Sequence, residues 1–140
     1  MAANERIKDI HMVSELLLVH LPETFEKRDD KLCKDICAVI AINLKRIDAD
    51  VDKSATAWEK RDYFFKADEL RREFLWLPTA QQLAEGLAYS PQQFETADLK
   101  RLGAAIPNKF LELLQRPRFK DVSQLRGAAA QVRATLLKPK

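Results

Sequence analysis

Two histidines and two cysteines are the chain's ready-made metal ligands and nucleophiles. His11 and His20 stand nine residues apart, whereas Cys33 and Cys37 are four apart and share one face of a helical pattern. A transition metal needs three or four such donors in one place, so two thiols set in an apolar stretch read as small, reduced core residues. No metal and no cofactor is expected. Asp48, Asp50 and Asp52 lack the glycine and terminal Glu of a calcium loop and read as a solvated turn. No Glu-x-x-His pair of the di-metal bundles occurs. With 3 glycines in 140 residues, neither a phosphate-cradling loop nor a nucleophile elbow can be built. One combination survives, Arg6 with His11, a cation and an imidazole five residues apart. The plainer expectation is an exposed Arg and His on the first helix, in a protein that is not an enzyme.

Binding groups are more plentiful than catalytic ones. The formal charge is only +3, but it is unevenly spread. From Arg116 onward, seven basic residues face a single acid, Asp121. Elsewhere the cations come in clumps, notably Lys27-Arg28 with Lys31 and Lys34, then Arg71-Arg72. Clumps with acids nearby are ordinary on exposed helices, whereas a basic tail is a recognised footprint of nucleic-acid binding. Lys27, Arg28, Lys31, Lys34, Arg71, Arg72, Arg116, Arg118 and Lys120 are therefore the expected nucleic-acid contacts.

The elements that must carry these side chains are helices. Apolar residues recur at three-and-four spacing, and glycine is scarce. A first helix is predicted from about Asn4 to His20 and closed by Pro22, a second from Asp30 to Ala49, and a third opening at Ser54 and kinked or restarted at Pro78. A fourth is predicted from Ser90-Pro91-Gln92-Gln93, which has the residue types of an N-cap, a first-turn proline and a capping box, with a break at Pro107. Connectors of four to eight residues imply antiparallel neighbours, hence an all-α up-down four-helix bundle over residues 1–115. Residues 116–140 form a basic tail with a weak, loosely packed helix. Phe64, Trp76 and Phe94 exceed what one buried stripe per helix can absorb and are expected at contacts between copies. No apolar run approaches the ~20 residues of a membrane crossing, so a soluble, cytoplasmic protein with no membrane partner is expected.

Two resemblances add to this reading. Arg6-Ile-Lys-Asp-Ile-His11 matches the loose R-x4-H pattern and resembles the motif of HEPN-type helical ribonucleases, though here it falls within the first dozen residues. Trp58-Glu-Lys-Arg-Asp-Tyr63, the stretch Ala67 to Trp76, and Ser90-Pro-Gln-Gln-Phe-Glu-Thr-Ala97 together resemble the Avd family. Avd proteins are the accessory variability determinants of diversity-generating retroelements and are similar to ribosomal intervening-sequence four-helix proteins. The likeness covers roughly residues 7–115. It implies a non-catalytic bundle that assembles into a homopentameric ring, binds a reverse transcriptase and its template RNA, and supports mutagenic retrohoming. The chain departs from the family at Leu75-Trp76-Leu77-Pro78 and at Pro107-Asn108-Lys109-Phe110. The alternatives are a protein-interaction adaptor of the same fold without nucleic acid and, as the HEPN resemblance implies, a ribonuclease in which His11 would act on a 2′-hydroxyl while Arg6 steadies phosphate charge.

Overall fold

The computed structural model describes residues 2–111 and 121–136, and every regular element among them is helical. Arg116, Arg118 and Lys120 lie outside the described residues. The elements are α1 (Ala2–Glu15), a π-helical turn (Leu16–His20), α2 (Leu21–Glu26), α3 (Asp30–Lys60), α4 (Phe64–Glu73), α5 (Leu77–Tyr89), α6 (Thr96–Ala105), α7 (Asn108–Leu111), a 3-10 turn (Val122–Leu125) and α8 (Ala128–Leu136).

The helices divide the chain differently from expectation. Pro22 does not end the first helix: the backbone runs on from α1 through the π turn into α2. Leu21 N–H donates to Leu16 O, one residue farther back than in an α-helix. This wide turn immediately precedes the proline, whose ring would otherwise press on the carbonyl four residues back.

The Asp48–Asp52 stretch is likewise not a turn but the middle of a 31-residue helix. No glycine or proline interrupts 30–60, and the acids are neutralised from outside. Arg6 Nη1 lies 2.8 Å from Asp50, and Arg71 Nη1 lies 2.7 Å from Asp52.

The breaks after α2 and α3 fall where backbone amides fold back to close the helix ends. At the end of α2, Asp29 N–H donates to Thr24 O and Arg28 N–H to Phe25 O; at the end of α3, Tyr63 N–H donates to Trp58 O and Asp62 N–H to Glu59 O. Both are Schellman closures, and their left-handed residues are Arg28 (φ 58) and Asp62 (φ 66) rather than glycine. Pro78 sits in the first turn of α5, where its missing N–H costs nothing, as the expected restart requires. Ser90 does not cap a helix. Its Oγ accepts from Gln92 N–H in a local turn, and α6 begins at Thr96 with a capping box between Glu95 and Asp98. Pro107 breaks the chain between α6 and α7 as expected.

α3 is the axis of the molecule. Leu32, Cys33, Ile36, Cys37, Ile40, Ala41, Leu44 and Ile47 are all buried on it, more than one stripe can hold. It is surrounded by α1, α4, α5 and α8. The segment expected to be loosely packed, 128–136, lies against α3 with Ala128 and Leu136 buried. Asp35 on α3 accepts from Gly127 N–H (2.8 Å) and Ala129 N–H (3.0 Å), capping α8, and Tyr89 Oη donates to Ala129 O at 2.7 Å. Gly127, at φ 89, makes the turn that aims those amides at Asp35.

Candidate nucleic-acid interface

The basic residues singled out in the sequence do not form one site. Lys27, Arg28, Lys31 and Lys34 gather at the α2–α3 corner; Arg71 and Arg72 lie beside the far end of α3. At 1.5 Å per residue, the roughly 20 to 30 helical positions between them set the two groups about 30–40 Å apart.

The tripeptide Lys-Arg-Asp stands at both corners, as Lys27-Arg28-Asp29 and as Lys60-Arg61-Asp62. At the first, Lys27, Arg28 and Lys31 are exposed, and Arg28 lies over the Phe25 ring, its Cζ 5.5 Å from the centroid. Holding an arginine in the left-handed region costs about 1–2 kcal/mol, and backbone strain of this kind collects at functional surfaces. Lys34 is half-buried and paired with Asp30 at 3.2 Å, which makes it a helix-stabilising cation more than a phosphate contact. Asp29 caps α3 through Leu32 N–H (3.2 Å) and binds Arg126 at 2.6 Å. The Arg126 hydrogen bond, followed by that of Leu32 N–H, holds the Asp29 carboxyl below its ordinary range.

At the second corner Lys60, Arg61 and Lys66 are exposed beside Tyr63, itself 53% exposed. Lys66 Nζ lies 5.8 Å from the Trp58 ring centroid and 5.6 Å from that of Tyr63, a cation on an aromatic shelf. Lys60 and Arg61 were not among the expected contacts. The signal that could have found them is the alternation of Trp58, Tyr63 and Lys66 with that pair. Arg71, by contrast, is occupied: Asp52 and Glu59 (3.0 Å) hold its guanidinium, and those hydrogen bonds raise its pKa further. It ties α4 to α3. Arg72 is exposed on the outer side of α4.

The expected copy-to-copy aromatics separate in the same way. Phe64 is exposed. Trp76 is half-buried, stacked at 5.1 Å on Phe110 and 6.1 Å from Phe74. Phe94 is only 4% exposed and meets Phe25 edge-on at 5.7 Å, so its ring is used within the chain.

Groups suited to catalysis are engaged structurally. Arg6 is shared between Asp50 and the Phe74 face, 5.8 Å from the ring centroid. Burial pushes the Cys33 thiol up to about 12 and that of Cys37 higher still, so neither is an available nucleophile at neutral pH. Among the described residues no group of three or more His, Cys, Asp or Glu could hold a metal ion, and no helix is long and apolar enough to cross a membrane. Sequence reading missed one buried polar pair, Glu15 and His20, whose Oε2 and Nε2 meet at 2.7 Å across the π turn. No protein-family model, curated protein or solved structure matches the chain.

Proposed function

We propose that this chain is a non-catalytic nucleic-acid-binding protein that grips a phosphate backbone with the two basic corners of α3. The observation that carries this reading is the repeated presentation of exposed cations at both ends of one rigid helix, Lys27, Arg28 and Lys31 at the first and Lys60, Arg61 and Lys66 at the second. Tyr63 supplies an exposed ring on which a base can stack. The Avd resemblance supports RNA as the ligand and a reverse transcriptase as the protein partner. It extends the reading to a homopentameric ring, to mutagenic retrohoming and to a cytoplasmic setting. Self-assembly would multiply each modest corner into a polyvalent surface. The capture of Arg6 by Asp50 favours binding over the ribonuclease alternative. The exposed apolar side chains of α4 favour the second reading, a protein-interaction adaptor without nucleic acid.

The test is fluorescence anisotropy with an unstructured RNA over a KCl series. Each single-strand phosphate contact contributes about 0.7 to the slope of log affinity against log salt, so six contacts give roughly 4. Changing Lys27, Arg28 and Lys31 to Glu should remove about half of that slope, and charge reversal at Arg116, Arg118 and Lys120 should weaken binding further. Binding that is absent or indifferent to salt rules the reading out.

A further inference from the structure

α4 turns one face inward and leaves the opposite face without intrachain cover. Ala67, Leu70 and Phe74 are buried, whereas Phe65 is 73% and Leu75 71% exposed. α4 ends at Glu73, but the chain keeps winding in a tighter turn, with Phe74 N–H donating to Arg71 O and Leu75 N–H to Arg72 O, each three residues back, which sets Leu75 over Arg72. The outer stripe is therefore Phe65, Asp68, Arg72 and Leu75. Its spacing of three, four and three is that of the a and d positions of a coiled coil.

The stripe is complementary to itself. When two copies of α4 are laid antiparallel about a two-fold axis at the level of position 70, Phe65 of each faces Leu75 of the other. Asp68 of each faces Arg72 of the other, and the two-fold repeats both pairings. Among the described residues, Asp68 and Arg72 form no ion pair with each other, although they stand one turn apart on the same helix. The neighbouring Arg71 is turned inward to Asp52 and Glu59, which leaves Arg72 as the outward cation of α4's last turn. A central charged pair flanked by apolar pairs is also what fixes register, because a slipped pairing buries charge against Phe or Leu.

We infer that the outer face of α4 is a homodimerisation surface, and that its occupant is a second copy of this chain in antiparallel two-fold contact. With Phe64 on its flank, each copy brings roughly 400 Å² of exposed apolar surface. That is about half of the ~800 Å² per partner of a standard interface, as expected where the apolar share is little more than half. An isologous contact joins copies in pairs, whether chain to chain or assembly to assembly. The inference goes beyond the nucleic-acid reading and does not depend on it.

Native mass by sedimentation or light scattering, without RNA, tests it. The wild type should run at an even multiple of the 16.1 kDa chain. Asp68→Arg alone, or Arg72→Asp alone, creates two like-charge contacts in the pair and should weaken association about tenfold or more. The double variant D68R/R72D restores opposite charges across the axis and should recover it. Mixing the two single variants should do the same, because every contact in the mixed pair is then opposite in sign. Circular dichroism checks that each variant is folded, which the exposure of both positions leads us to expect. An odd or monomeric wild-type mass, or single reversals without effect, overturns the proposal. So does failure of both the double variant and the mixture to recover association.

Discussion

Glu15 and His20 are five residues apart, which on a regular α-helix would set them about 140° from each other. The π turn between them brings both onto one face, where they meet at 2.7 Å in the protein interior. The contact gives each buried side chain a hydrogen-bond partner, and removing His20 takes that partner from the Glu15 carboxyl and leaves a gap in the interior. His20→Ala should therefore cost about 3 kcal/mol. In a domain of this size that lowers Tm by roughly 10 °C, readable by circular dichroism. An unchanged Tm would mean that the pair adds nothing to stability. Sequence inspection could not find the pair, because a spacing of five has no meaning on an ordinary helix. Cys33 and Cys37, at the helical spacing of four, were legible as core residues from the start, and both are buried.

Among elements, α8 owes its position to α3 rather than to its own composition. Its buried anchors are small or few, Ala128 and Leu136, but Asp35 takes the amide of Gly127 just before it and that of Ala129 in its first turn, and Lys45 Nζ donates to Thr135 O at its other end. A helix of nine residues is marginal alone, so these contacts decide whether it forms. Asp35→Ala should cost roughly 2 kcal/mol and release α8 selectively. In hydrogen exchange, amides 128–136 should lose protection while those of α3 keep theirs; equal loss in both would show that α8 and α3 open as one unit. Acid should loosen the same segment. The Asp29 carboxyl is held below its ordinary range by Arg126, so its contribution is complete above the unfolded value near 3.9 and fades as pH falls through the lower folded value.

For the molecule as a whole, the length of α3 sets the geometry of any partner. Its two basic corners are joined by one helix, about 45 Å long at the ordinary rise, with no glycine or proline in it. Separated by more than a Debye length, the corners cannot influence each other directly in physiological salt. On the nucleic-acid reading, charge reversal at Lys27 and Arg28 and charge reversal at Lys60 and Arg61 should each weaken RNA binding. Their effects on log affinity should add within about 0.3–0.5 kcal/mol for an RNA long enough to span both. An RNA too short to bridge the corners should feel only one of them. Coupling well outside that margin would place the RNA across a single merged site instead.

Helix as the only regular structure among the described residues, the restart at Pro78, the break at Pro107 and the burial of the two cysteines were all decided locally, by apolar period, proline stereochemistry and the scarcity of glycine. Those are properties a stretch of chain carries wherever it is placed. The passage of α3 through three aspartates and the docking of α8 were decided by distant partners: Arg6 and Arg71 neutralise Asp50 and Asp52, and Asp35 caps a helix 92 residues away. The expected interface residues divided for the same reason. Arg71 and Phe94 were drawn into the chain's own contacts, while Phe64 and Arg72 were left outside. Residue type fixes what a side chain is able to bind, and only the packing of α3 with its neighbours decides whether that capacity is already satisfied within the fold.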